Sequence, residues 1–352
     1  MPGRLIHTGQ VVIDLVMRLD SLPTRGGDVF ARAAQATPGG GFNVMLAAVR
    51  DGAAVVYAGG HGSGLLGDLA RQALRQAGIL VVAPPDTSAD TGISVVLVDD
   101  AAERTFVTAP GSEFGADGGH WLAAGAGPGD IVYVTGYSLV RPDKRDALME
   151  WLGGLDPGVA LLFDPSPLVG ELPLGVLRAL ARRGGVWSLN QPEAVCLAGR
   201  LNLVPGLASD SGQLEVWDDA AAGAMAVALA DGVAGLDRAD RAGRAEAWAA
   251  TGGLTGLGPP AVVVRFGPGG AAIAQAGRLG GPTGARLVPG LTVKAVDTNG
   301  AGDTHCGVMA AALLRGADLD LAVRRANVAA ALLVARSGPS RAPWAAEIDA
   351  AL

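Results

Sequence analysis

The heptapeptide Asp297-Thr298-Asn299-Gly300-Ala301-Gly302-Asp303 sets two carboxylates around a turn poor in side chains, and it runs into the apolar stretch 307–314. If that stretch is a helix, the amides of Gly300, Ala301 and Gly302 are unpaired donors of its first turn. Nothing bulky then keeps a phosphate from reaching them. Asp303, one step into the helix, could accept a proton from a hydroxyl aimed at that phosphate. An acidic helix cap whose glycines serve only a tight turn is the competing account.

Further clusters bear on the same chemistry. In Pro38-Gly39-Gly40-Gly41-Phe42-Asn43, consecutive glycines expose backbone to a ligand and Asn43 offers a donor and an acceptor to hydroxyl groups, although a hinge capped by Asn has the same composition. Asn190-Gln191-Pro192-Glu193 follows an apolar run and starts a helix. It therefore places Asn190 and Glu193 at the carboxyl edge of a sheet, where open α/β folds bind ligands, or it is simply a well-formed helix cap. Arg265-Phe266-Gly267-Pro268-Gly269-Gly270 reads as a plain turn or as a backbone cradle beside a nucleotide. A rival motif, Gly62-Ser63-Gly64-Leu65-Leu66-Gly67, matches the dinucleotide fingerprint, with Asp86 about twenty residues further on. However, Gly59-Gly60-His61 sets it away from the strand end that such a turn requires.

The elements that must position these residues follow an α/β rhythm from about residue 53 onward. Nearly continuous apolar runs at 54–58, 131–135, 159–163, 186–189 and 261–265 predict central strands of a parallel sheet buried on both faces. Helices are predicted at 42–50, 66–76, 144–151, 173–182, 219–230, 304–314 and 321–336. Two segments, 10–35 and 91–108, look like antiparallel strands instead, with 94–98 and 104–108 as hairpin arms around a polar turn. Together they suggest a small β lid inserted into the body. Residues 201–260 are Gly/Ala/Asp-rich and weakly patterned, and are expected to be an excursion of one or two surface helices.

A chain of 352 residues with 49% hydrophobic residues has enough apolar mass for a sizeable core. Its net charge of −7, with no long basic cluster, speaks against nucleic acid or an anionic membrane as partner. A small molecule is expected. The two cysteines, Cys196 and Cys306, carry no metal-site spacing and suggest neither a disulfide framework nor structural zinc. With no apolar run of spanning length and no leader pattern, a cytoplasmic protein is expected.

Taken in order, a lid hairpin, Gly-Gly-x-x-Asn, Asn-x-x-Glu, a strand ending in Gly-x-x-Gly, and Asp-Thr-x-Gly-Ala-Gly-Asp resemble the ribokinase-like or PfkB family of carbohydrate kinases over essentially the whole chain. The resemblance implies one α/β domain over 1–352: a doubly wound, mainly parallel sheet with helices on both faces and a small β-sheet lid from about 10–38 and 91–110. It implies that Asp303 is the catalytic base and that Gly300, Ala301 and Gly302 form the anion hole for a γ-phosphoryl group transferred from ATP. By the same resemblance, Glu193 holds Mg2+ through water and Asn190 lies by the phosphates. Gly267 and Gly270 border the nucleotide, and Asn327 is the adenine-side Asn. Asp14, at the end of the first strand, would grip sugar hydroxyls together with Gly39, Gly40 and Asn43. Relatives bind K+ near the positions of Asp297, Arg336 and Gly338, and often dimerise through the lid.

Departures from the family pattern are Val308 after Gly307, His305 for a common Phe, Tyr137-Ser138 without the Glu of true ribokinases, and Arg265 for a common Thr. The implied activity is ATP-dependent phosphorylation of a primary hydroxyl on a small sugar or sugar derivative, with a nucleoside as the alternative substrate. Few aromatic residues, 4% of the chain, are present to stack a base. The alternative from another class is an NAD-dependent oxidoreductase using Gly62–Gly67.

Overall fold

A computed structural model describes residues 2–100, 103–115, 118–203, 218–236, 260–275, 284–338 and 341–352. In chain order the strands are β1 (Arg4–His7), β2 (Val11–Arg18), β3 (Ala33–Gly40), β4 (Ala54–Tyr57), β5 (Leu80–Val81), β6 (Ile93–Val98), β7 (Arg104–Ala109), β8 (Ile131–Thr135), β9 (Ala160–Asp164), β10 (Val186–Asn190), β11 (Ala261–Arg265), β12 (Gly270–Gln275) and β13 (Ala285–Pro289). Nine of them form one sheet in the order β13-β12-β11-β10-β9-β8-β1-β4-β5. Neighbours from β11 to β5 are parallel, and β12 and β13 return antiparallel at one edge.

Helices cover both faces because the central strands are apolar on both sides. In β11, Val262 and Val264 join the core beneath helices Pro142–Gly154, Leu174–Arg183, Gln191–Arg200 and Asp219–Gly235. Ala261 and Val263 face the opposite core, under Gly41–Arg50, Leu65–Gln76, Ala301–Leu314 and Leu319–Val334. This alternation is what two-sided burial demands of a parallel strand. The predicted helices are all present, with ends moved by at most five residues.

Four strands were not foreseen. β1 carries Arg4 and His7 at its ends, and β5 has only two residues. The Ala-rich β12 follows a Gly-Pro-Gly turn that masks its period, and β13 has only five residues, ending in Pro289. The expected excursion also needs correction. Helix Asp219–Gly235 is no surface element, because Ala222, Ala226, Leu229 and Val233 are fully buried against the sheet. The remainder of that excursion, 204–217 and 237–259, lies outside the described residues.

The lid is a separate four-stranded sheet ordered β3-β2-β6-β7. Both hairpins, β2/β3 and β6/β7, are antiparallel as expected, but β2 and β6 pair in parallel where the two inserted segments meet. Asp14 stands within β2, so it belongs to the lid and does not end the first strand. Among the described residues, no helix is long and apolar enough to cross a membrane.

Candidate active site

Helix Ala301–Leu314 begins at Gly300, whose φ of +75° is a left-handed conformation that favours glycine. Of the first-turn amides, Ala301 donates to the Thr298 carbonyl at 3.3 Å, while those of Gly300, Gly302 and Asp303 find no acceptor among the described residues. Among the free donors, Asp303 therefore stands in place of Ala301 of the expected trio, while Gly300 and Gly302 remain. Gly307, further along the helix, lets it lie close to helix Gly41–Arg50; a Cβ there would meet the Val44 carbonyl at 2.2 Å. That close approach brings Asn43 Nδ2 to 3.1 Å from Asp303 Oδ2.

Two cavities meet at this turn. The first, of about 140 Å³, lies under the lid and includes Asp14, Arg18, Gln35, Asn43, Gly300 and Thr304 in its wall. The second, of about 380 Å³, includes Asn190, Arg265, Gly267, Gly270, Gly302 and Asn327. Asp303 itself lines neither cavity; its neighbours in the chain do, Gly302 the second and Thr304 the first. Gly59, Gly60 and His61 contribute to neither wall.

Burial sets the electrostatics. It pushes the Asp303 carboxyl up to about 6; the Asn43 hydrogen bond pulls against it, the charge of Asp164 adds to it, and Arg265 opposes it. Asp14 is likewise pushed up to about 6, by burial and by the charge of Asp303. Behind the turn, Arg265 lies 3.6 Å from both Asp164 Oδ2 and Glu193 Oε2. Its Nε is buried without a hydrogen-bond partner. Gly302 makes room for it, since a Cβ there would stand 2.5 Å from Arg265 Nη1. Glu193 closes a capping box with Asn190, and its carboxyl is raised by burial and by Asp164.

Most of the expected residues converge, with changes of role. Gly39 and Gly40 do not line the first cavity. Gly39 instead leaves space for Asp14, whose Oδ2 would stand 2.0 Å from a Cβ at 39. Gly40, at φ +59°, turns the chain into its helix. Asn327 borders the second cavity, but its Nδ2 donates to the carbonyls of Val288 and Pro289 at 2.9 and 3.2 Å, and its Oδ1 lies 3.1 Å from His305 Nε2. It thus ties the helix to the end of β13. Asp297 is held by Arg104 of the lid strand β7 and by Arg341. Asp164 was missed by the sequence reading; its signal was a carboxylate ending the apolar run Ala160–Phe163. Cys306 is a packed residue as expected, with Sγ 3.6 Å from Asp164 Oδ2.

The dinucleotide fingerprint is already spent. Leu66 and Gly67 donate to the Asp90 carboxylate at 3.0 and 2.8 Å, and Gly62 donates to Thr91 Oγ1 at 2.9 Å. A side chain of the protein occupies the place a pyrophosphate would take.

The sequence pattern of the pfkB family carbohydrate kinases matches residues 4–201 and 234–346. The chain belongs to this family. Among curated pfkB-type relatives, it is 27% identical over 342 residues to the uncharacterized sugar kinase YegV of Escherichia coli (strain K12), covering 97% of this chain and 91% of that one. It is also 27% identical over 362 aligned positions to the ATP-dependent ribose-1-phosphate kinase of Halopiger xanaduensis, covering 99% and 98%. Among solved structures, the ribokinase of Cryptococcus neoformans in complex with ADP superposes with a TM-score of 0.74 at 19% identity, covering all of both chains. That last likeness speaks for the fold. The NAD-dependent alternative falls with these findings.

Proposed function

We propose that this carbohydrate kinase transfers the γ-phosphoryl group of ATP to a primary hydroxyl of a small sugar or sugar derivative. One observation carries the reading: Asp303, with its carboxyl raised to about 6, lies in the chain between Gly302, which lines the larger cavity, and Thr304, which lines the smaller one under the lid. A base tuned near neutrality accepts the hydroxyl proton efficiently as the oxygen attacks. Asp14 and Asn43 orient that hydroxyl from the lid side. The free amides of Gly300, Gly302 and Asp303 point at the charge developing on the transferred group. Arg265 adds a fixed positive charge on the nucleotide side, which the usual Thr of the pattern would lack.

No cluster of three His, Cys, Asp or Glu side chains able to hold a metal ion is found among the described residues. The donor set still fits Mg2+, which is held by one or two carboxylates plus substrate phosphates. Glu193 and Asp164 would hold it through water, and when bound it neutralises phosphate charge. The residues matching the K+ pattern do not fit a second cation, because Arg104 and Arg341 already occupy the Asp297 carboxylate.

Among the described residues, no aromatic ring lines the cavity under the lid, which favours a sugar over a nucleoside. Both cysteines are free thiols, in keeping with a cytoplasmic setting. Phe30, in the β2–β3 connection of the lid, is 94% exposed; it supports a homodimer formed through the lid, which light scattering on Phe30→Asp checks by a halved mass. The function itself is tested with sugars, sugar phosphates, sugar acids and nucleosides assayed for ADP release. A sugar or sugar derivative giving the highest kcat/KM supports the reading, and hydride exchange with NAD but no ADP release contradicts it.

A further inference from the structure

We propose that the guanidinium of Arg341 is a built-in monovalent cation that takes the place of K+ beneath the anion-hole turn and makes the protein independent of it. Arg341 lies between helices Leu319–Val334 and Ala345–Ala351, and its side chain is 8% exposed. Nη1 donates to the carbonyls of Asp297 at 2.9 Å and Arg336 at 2.7 Å, and Nη2 to that of Asn299 at 2.8 Å. Nη2 also pairs with Asp297 Oδ2 at 3.3 Å. Backbone carbonyls and a carboxylate are the oxygens that replace the hydration shell of K+. Here each of them already faces a guanidinium.

The other Asp297 oxygen is taken as well. Oδ1 accepts from Arg104 and from the Asn299 amide. One carboxylate between two guanidinium groups leaves a net positive environment, which repels any additional cation.

The geometry also gives Arg341 a task. A trans peptide points its C=O and the following N–H in opposite directions. By holding the Asn299 carbonyl, Arg341 turns the Gly300 amide the other way, and that amide is one of the free donors of the turn. Arg341 is therefore a positioning residue: it touches neither reactant, and fixes the dipole that one of them meets. The bond from Arg104 to the same aspartate joins the turn to the lid.

The test compares the wild type and Arg341→Ala in potassium, lithium and choline chlorides at equal ionic strength, reading both thermal midpoint and ADP release. The midpoint is measurable without any substrate, so this inference can fail while the kinase reading stands. For the wild type, the midpoint and turnover are expected to be the same in all salts. For Arg341→Ala, turnover in choline should drop at least about tenfold, the size usual for a partner that orients a site from behind. K+ should restore much of it and raise the midpoint, and lithium should not. Saturable stabilisation or activation of the wild type by K+ overturns the proposal. So does an Arg341→Ala protein whose turnover equals the wild type in choline, or whose loss K+ does not repair. If Arg341→Ala does not fold, the wild-type salt comparison decides alone.

Discussion

Asn43 Nδ2 donates to Asp303 Oδ2 across 3.1 Å, joining residues 260 positions apart in the sequence. The bond crosses from the helix that leaves the lid to the helix that carries Asp303, and it holds the carboxylate by one oxygen. It also favours the ionised form, pulling the Asp303 pKa down against the larger effect of burial.

Replacing Asn43 by Leu removes that pull. The acid limb of kcat/KM, expected near pH 6 from the position of Asp303, should move to higher pH. At neutral pH the loss should be on the order of tenfold, with a raised sugar KM. A pH profile of kcat/KM checks this, and an unmoved acid limb would separate Asn43 from the base.

The raised carboxyl of Asp14 makes a stability prediction with a definite sign. Its folded-state value of about 6 lies above the ordinary value of 3.8, so the folded state binds the proton more tightly than the unfolded one. Folding is then favoured at low pH, and the contribution is lost as pH rises from about 4 through about 6. Asp14→Asn should melt higher than wild type at pH 8, and the gap should close towards pH 4. Melting curves across that range check the sign; a wild type more stable than the variant at pH 8 contradicts it.

Arg265 has two expected signatures. With Asp164 and Glu193 at 3.6 Å, Arg265→Thr leaves two buried carboxylates without their cation and should cost about 3–5 kcal/mol of stability. The milder Arg265→Lys keeps the charge and should preserve the fold. It should weaken ADP and ATP by about tenfold, the share of one charge-assisted hydrogen bond, and leave AMP unchanged. Calorimetry with the three nucleotides tests this. Equal weakening of all three would make Arg265 a scaffold residue.

The site was more legible in the sequence than the fold around it. Asp303 and its glycines announced themselves because a glycine turn opening a helix with a carboxylate in its first turn is local, built from consecutive residues. The central strands were legible because burial on both faces leaves an unbroken apolar run. β1 and β12 escaped because Arg4, His7 and a row of alanines carry no such signature, and only pairing with β4, β8 and β11 makes them strands. Asp164, Arg104 and Arg341 escaped for another reason. Each meets the site across more than forty residues of chain, through contacts no sequence spacing encodes. Gly39 was expected to grip a sugar, and the reason it is a glycine, the room it leaves for Asp14 of the neighbouring strand, lies in a contact the sequence does not encode.

Asp303→Asn bears most directly on the central claim. The substitution keeps the shape and removes the proton acceptor, so turnover should fall by about 10³-fold or more while ATP binding, followed by calorimetry, stays nearly unchanged. A variant that turns over at the wild-type rate, or whose loss is explained by weak ATP binding alone, would contradict the account.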